Sequence, residues 1–161
     1  MSWFRKPRKM HESPLETVSI LYDETTFYKQ FMHDLLEAKQ EIIIESPFIA
    51  IKRLEALKPL FEKLINKGVQ VFVMTRLPCE QGQDLEYQAE AGIRYFEELG
   101  VQVLLCEGNH HRKLAMIDRQ ILWEGSLNIL SQSHSREFMR RIESKKLTQE
   151  MFSFLKYSQL L

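Results

Sequence analysis

The sequence predicts an α/β domain: a mixed, largely parallel β-sheet flanked by helices on both faces. Three observations carry that reading. Strand-like segments alternate with segments of helical period from Thr17 to Cys106, the signature of parallel strands joined by crossover helices. After Cys106 the rhythm changes, and three strand-like segments follow with no long helix between them, so the sheet becomes mixed. A chain of 161 residues with 44% hydrophobic and 27% charged residues has the size and apolar content for one core. The expected organisation is a basic arm over residues 1–15 and a single domain over 16–161.

The arm holds Arg5, Lys6, Arg8 and Lys9, with Pro7 and Pro14, and no periodic pattern. Its Trp3 and Phe4 can contact nucleic acid, an acidic membrane surface or the body of the domain. Thr17 to Tyr22 alternates as a first strand. Asp23 or Thr25 can cap a helix running to about Gln40; its apolar face is Phe27, Phe31, Leu35 and Ala38. His33 sits beside this face and carries no role. The run Ile42-Ile43-Ile44, ended by Pro47, has the continuous β-branched character of a buried central strand.

Leu57, Leu60, Phe61 and Leu64 form the next helical stripe, with Gly68 after its end. Pro59 predicts that this helix begins near it or kinks there. Val69 to Met74 is the third strand. Asp84 to Leu99 is a third helix, with Leu85, Ala89, Ile93 and Phe96 inward and Gly100 as its stop, and Val101 to Cys106 a fourth strand. Arg112 to Asp118, Ile121 to Glu124 and about Glu137 to Ile142 are the three later strands. Asp118-Arg119-Gln120 between the first two predicts a hairpin. Thr148 to Leu155 closes the chain as a helix.

Composition excludes several classes. Cys79 and Cys106 form no C-x-x-C and no zinc spacing, so free thiols are expected. No segment approaches the ~20 apolar residues that span a bilayer, and the N-terminus lacks the apolar core of a signal peptide. A cytoplasmic protein is the resulting expectation. Net charge is zero, but its distribution is uneven. From Glu80 to Glu107 seven acids face Arg94 alone; from His111 to Lys146 eight lysines and arginines face four acids. A basic surface there suits a phosphate-rich ligand, although ordinary solvated surface explains charge runs equally well.

The chemistry-bearing stretch is Asn109-His110-His111-Arg112-Lys113-Leu114-Ala115-Met116-Ile117-Asp118, followed by Trp123-Glu124-Gly125-Ser126-Leu127-Asn128. It reads H-x-K, four residues, D, six residues, G-S-x-N. On a strand, residues i and i+2 share a face, so His111 projects with Lys113. If a second strand carries the later segment, Ser126 projects with Asn128. An imidazole, an ammonium, a hydroxyl and an amide gathered at one spot suit an anionic oxygen centre. Asp118, seven residues from His111, points to the other face of an uninterrupted strand, where it would satisfy the turn and brace the site. Arg112 and Arg136 are candidate cations for substrate phosphate. No carboxylate cluster or Cys/His set indicates a metal site.

The pattern His111-x-Lys113-x4-Asp118-x6-Gly125-Ser126-x-Asn128 resembles the signature of the phospholipase D superfamily, with no departures. The likeness covers about residues 17 to 145. Its spacing selects His111 over His110, which stands three residues from Lys113. Within the superfamily, Ile121 to Ser131 is most similar to domains attached to DNA helicases and other DNA-processing proteins.

The resemblance implies a phospholipase D-like fold and phosphodiester cleavage through a phosphohistidine, without metal or cofactor. It makes His111 the nucleophile, with Lys113 and Asn128 on the non-bridging oxygens and Ser126 adding a hydrogen bond. It also calls for an acidic residue oriented to the nucleophilic imidazole, for which Glu137 is the candidate, a plain surface glutamate being the alternative. With Asp118 as brace, these six residues make up the expected catalytic set. A second imidazole must protonate the leaving oxygen, yet the chain holds one motif, and His11, His33 and His134 lie outside any second H-x-K. A C2 homodimer bringing two copies of His111 together is the simplest solution. The leading expectation is a metal-independent, endonuclease-like phosphodiesterase acting on nucleic acid, DNA more than RNA. A lipid phosphodiesterase or phosphatidyl transferase is the alternative, and a non-catalytic nucleic-acid-binding module the third.

Overall fold

The computed structural model describes residues 17–161; the basic arm over residues 1–15, with Trp3 and Phe4, lies outside the described residues. The element order is β1 (Val18–Asp23), α1 (Phe27–Glu37), β2 (Glu41–Glu45), α2 (Ile51–Asn66), β3 (Gln70–Arg76), α3 (Gln83–Leu99), β4 (Gln102–Cys106), β5 (Leu114–Ile117), β6 (Ile121–Gly125), β7 (Phe138–Glu143) and α4 (Lys145–Phe154). Short 3₁₀ turns cover Pro78–Glu80 and Tyr157–Gln159.

One seven-stranded sheet runs β1-β7-β6-β5-β2-β3-β4. The pairs β2–β3 and β3–β4 are parallel, and the other four neighbouring pairs are antiparallel. Two reversals separate β6 from β2, and two more separate β1 from β6. So β1, β2, β3, β4 and β6 share one direction, and only β5 and β7 oppose it. The expected largely parallel sheet therefore holds for strand direction, but the contiguous parallel block is only β2-β3-β4. β1 does not sit beside β2 as a simple crossover would place it. It pairs with β7 at the far edge, where Val18, Ile20 and Leu21 remain exposed.

Period-2 alternation splits the core in two. Ile42 and Ile44 point to one face and pack with α1, α2 and α3, while Ile43 points to the other and packs with α4. Helices thus cover both faces, three against one. On the three-helix face Phe27, Phe31 and Leu35 are fully buried. Phe27 meets Trp123 edge-on, with ring centroids 5.1 Å apart. Burying each such side chain stabilises the fold by about 1.5–3 kcal/mol. The indole N–H of Trp123 donates to Asp34 (2.9 Å), which also takes the Arg141 guanidinium at 2.7 Å, so the one carboxylate beneath α1 is fully partnered.

Three expectations are corrected. α2 does not begin near Pro59, one of the two expected outcomes, but runs through it from Ile51. Pro59 lies on the exposed side, where the carbonyl it leaves unbonded reaches water and the penalty is smallest. Leu85 of α3 is exposed rather than inward, because that helix buries Ala89, Gly92 and Phe96 instead. A Cβ on Gly92 would sit 2.5 Å from Ile49 Cγ2, so glycine lets α3 approach closely. α4 begins at Lys145, three residues early, because Ser144 caps it by accepting from Leu147 N.

Candidate active site

Strand ends build the site. β5 begins at Leu114, so His111 and Lys113 lie in the extended stretch that leads into it and not within the strand itself. β6 ends at Gly125, and Ser126 and Asn128 lie just beyond. The two segments face each other through Gly125 N, which donates to Lys113 O at 3.4 Å. An open cleft of about 540 Å³ here is lined by His111, Arg112, Lys113, Ser126, Phe138 and, from α4, Phe154, among others.

Gly125 is demanded by this approach. A Cβ there would sit 2.2 Å from Phe138 O and 2.9 Å from Met139 Cα, and neither backbone atom can move without opening the β6–β7 ladder. Ser126 follows with N donating to Phe138 O (3.0 Å) and Oγ accepting from Phe138 N (3.2 Å). The next turn is pinned from below: Leu127, Ile129 and Leu130 are fully buried, and Tyr28 OH donates to Ile129 O at 2.7 Å. Leu130 N donates to Ser46 Oγ at 3.0 Å. Apolar residues on either side thereby carry Asn128 into place, where its Oδ1 is buried without a hydrogen-bond partner. A buried amide with an open valence is what a ligand-reading group requires.

Lys113 Nζ stands 2.7 Å from His111 Nδ1 and 2.9 Å from His111 O. The ammonium has no acceptor capacity, so it donates and Nδ1 accepts. The Lys113 charge, then burial, then Arg76 and His110 hold the His111 pKa below its ordinary 6.5; the ring is therefore neutral at neutral pH, the form with a free lone pair. Burial also lowers the Lys113 pKa, against the opposing charge of Glu137.

The site residues expected from sequence divide into two groups. His111, Lys113, Ser126, Asn128 and Glu137 are gathered at these strand ends. Glu137 reaches Ser126 Oγ in a short hydrogen bond, and no hydrogen bond joins it to His111, correcting the expected orientation. Its own N–H is held by Glu24 (3.0 Å).

Asp118 and Arg112 fall in the second group. Asp118 is at the opposite end of β5, roughly 15 Å of extended chain from Lys113, and touches nothing in the cleft. There it accepts from Lys39 N, Gln40 N and Glu41 N at 2.9, 2.8 and 3.0 Å, so it holds the α1–β2 connection instead of bracing the site directly. Arg112 lines the cleft too, but its guanidinium pairs with Glu45, so it is not a free cation for phosphate; strand parity sends it off the opposite side of the segment from His111. Arg136 is exposed on the loop before β7.

Two neighbours of His111 were missed. Arg76, at the end of β3, donates to Asn109 Oδ1 and pairs with Glu80. Phe48 stands edge-on to the His111 ring with centroids 6.3 Å apart. The available signal was position: both follow the carboxyl ends of parallel strands, where open α/β sheets place their ligands. Among the described residues no group of three or more His, Cys, Asp and Glu side chains is placed to hold a metal, and no helix is long and apolar enough to cross a membrane.

Comparison with solved structures finds the same fold in several proteins. Nuc from Salmonella typhimurium, described as a phospholipase D family member, superposes with a TM-score of 0.68 at 20% identity, covering 89% of this chain and 93% of its own. NucT from Helicobacter pylori gives 0.65 at 15% identity over 88% and 95%. Phosphatidylserine synthase from Haemophilus influenzae gives 0.67 at 16% identity over 91% of this chain and 39% of its own. No curated protein sequence matches the chain. The family described as cardiolipin synthase, PLD-like domain, matches residues 31–157. With that span containing every strand of the cleft and the whole H-x-K and G-S-x-N pattern, the chain belongs to the phospholipase D superfamily.

Proposed function

We propose that the chain is a metal-independent phosphodiesterase that cleaves nucleic acid, DNA in preference to RNA, through a covalent phosphohistidine on His111. The observation that carries this reading is the pairing of a neutral His111 imidazole with the Lys113 ammonium at 2.7 Å, in a cleft that Ser126 also lines. A phosphodiester entering that cleft gives the ammonium a better acceptor than Nδ1, and the imidazole lone pair is released as Lys113 turns to a non-bridging oxygen. An imidazole nitrogen then attacks phosphorus, a P–N bond forms and the bond to the leaving oxygen breaks. A second imidazolium gives that oxygen its proton. Water then attacks the phosphohistidine, the second imidazole takes the water proton, and His111 is released. Lys113 and Asn128 stabilise the charge on the non-bridging oxygens, doing the work that divalent cations do in two-metal sites.

The second imidazole comes from a second copy of the chain. His110, the only histidine adjacent to the motif, is turned to the opposite side against Glu45. Phe138 and Phe154, which flank the cleft while more than half exposed, provide apolar surface that a second copy would cover. Nuclease as the substrate class rests on the superfamily fold that Nuc and NucT share and on the basic stretch from His111 to Lys146.

The test is incubation with labelled single- and double-stranded DNA and RNA in EDTA, beside His111→Ala. Cleavage that persists in EDTA and vanishes in the variant is expected; cleavage abolished by EDTA would overturn the mechanism. Mixed oligomers of wild type and His111→Ala should lose more activity than the fraction of variant subunits. The phosphatidylserine synthase fold and the cardiolipin synthase family description favour a second reading, a lipid phosphodiesterase or phosphatidyl transferase. Head-group release from phospholipid vesicles with no nicking of plasmid would select it.

A further inference from the structure

The backbone that carries His111 is not fixed by the sheet. The β2–β5 ladder ends at the Glu45–Leu114 pair, and among the described residues the only non-ladder backbone hydrogen bond to positions 110–113 is the long one to Lys113 O. Something else must set where His111 points.

Behind the cleft lies a carboxylate that the chemistry does not use. Glu45, the last residue of β2, is fully buried on the α4 face. Arg112 grips it with two hydrogen bonds, Nε to Oε2 at 2.7 Å and Nη2 to Oε1 at 3.0 Å. Tyr157, fully buried, donates its phenol to Oε1. His110 Nε2 stands 3.2 Å from Oε2, off the line of a hydrogen bond. His110 and Arg112 flank His111, so the side chains on either side of it converge on one carboxylate while strand parity turns His111 and Lys113 the opposite way.

Burying a carboxylate is costly unless it is paired and hydrogen-bonded, and an apolar residue of similar volume is often as stable. A four-membered polar cluster at this place therefore does more than fill space. Upstream, Glu80 holds Gly108 N and Asn109 N at 3.1 and 3.2 Å, so the segment is stapled at its entry and clamped from behind at its centre.

We propose that Glu45 is the positioning residue of the active site: through Arg112, His110 and Tyr157 it fixes the direction in which His111 and Lys113 enter the cleft. Glu45 touches no substrate; it acts through the strand. The inference rests on His111 being the reacting group, and its test includes a reading that does not need turnover.

The experiment compares Glu45→Gln with wild type. Gln keeps the shape but loses the charge and one acceptor valence. Three quantities are measured: kcat and KM on a chromogenic phosphodiester, the imidazole ¹⁵N resonances of His111, and Tm. A displacement on the order of 1 Å at a reacting group costs about 100-fold. The expected result is a fall in kcat of about 10- to 100-fold, KM within about twofold, and a displaced or broadened His111 signal while those of His33 and His134 stay put. Unchanged kcat together with an unchanged His111 signal in folded protein overturns the proposal. So does loss of activity that only tracks the unfolded fraction.

If Glu45→Gln does not fold, Tyr157→Phe and Arg112→Lys, which each remove part of the cluster, carry the same readings. Arg112→Lys should retain more kcat than Arg112→Met, because Lys restores the charge without the fork. Equal rates for the two with wild-type His111 signals would again overturn it. If wild type cleaves no diester, the phosphodiesterase reading fails, and the ¹⁵N signals alone still decide whether Glu45 orders His111.

Discussion

The two ends of β5 are each finished by a carboxylate, and they are finished differently. At the turn end Asp118 collects three backbone amides from the α1–β2 connection, using its own element's motif residue. At the cleft end Glu45, outside the motif, collects the two side chains that flank His111 and the Tyr157 phenol. Backbone amides at a strand entry are held the same way whatever the neighbouring side chains are. Side chains can be aimed, because alternate residues of an extended segment leave on opposite sides. On the proposed mechanism the motif therefore mixes two kinds of residue: His111 and Lys113, which would react, and Asp118, which holds a neighbouring connection, with the cleft end contacted from behind by a residue far away in sequence.

Substituting at each end separates the two roles. His111→Ala should remove at least about three orders of magnitude of diesterase activity, as loss of a nucleophile does, with Tm nearly unchanged because the ring is exposed. Asp118→Ala should do the reverse: lose about 1–3 kcal/mol of stability for the charged hydrogen bonds removed, with kcat of the folded fraction kept within several-fold. Urea unfolding and kinetics on the same samples check both. A large kcat loss in fully folded Asp118→Ala would erase the contrast.

Gly125→Ala should be intermediate and strike both properties. Its Cβ would overlap Phe138 O, costing roughly 1–3 kcal/mol as overpacking does, and would spread the strands that set Ser126. A stable, fully active Gly125→Ala would break the account of the cleft end.

Acid titration sharpens the comparison further. Burial works to raise the Glu45 pKa, but the close His110 ring and the hydrogen bonds from Arg112 and Tyr157 outweigh it, and the net value lies below the ordinary 4.5. A depressed folded value means stability that is present above 4.5 and lost as pH falls through the folded pKa. Thermal melts from about pH 7 to about pH 3 should show a steeper acid loss in wild type than in Glu45→Gln, and parallel curves would deny the pairing. The smallest effect belongs to the surface. Arg119 pairs with Glu41 beside the hairpin turn while 42% exposed, so Arg119→Gln should cost less than about 1 kcal/mol and leave kcat alone.

Much of this molecule was legible before folding. The Ile42-Ile43-Ile44 run reads as a strand buried on both sides, and it is. The stripes of Phe27, Phe31 and Leu35 and of Leu57, Phe61 and Leu64 bury the faces their spacing implies. His111, Lys113, Ser126 and Asn128 follow from type and spacing, Glu137 from the family resemblance, and all five lie at the same strand ends. What failed was anything set by a partner element. Pro59 reads as a helix start or a kink, but only its exposure shows why the helix runs through it. Arg112 reads as a free cation until β2 supplies Glu45.

Local pattern, then, determined the elements, their faces and the candidate site residues of the motif, because side-chain period and fixed spacing are properties of the chain alone. Only the tertiary structure decided the neighbours: β1 beside β7 and not β2, Glu137 on Ser126 and not on His111, Arg76 and Phe48 near the imidazole, and a buried Glu45 behind it. Those contacts join residues far apart in sequence, Val18 with Glu143 in the β1–β7 ladder and Glu45 with Tyr157, 112 positions away. A one-dimensional pattern fixes which side of a strand a group leaves from, but what it meets there depends on which strand the sheet places alongside.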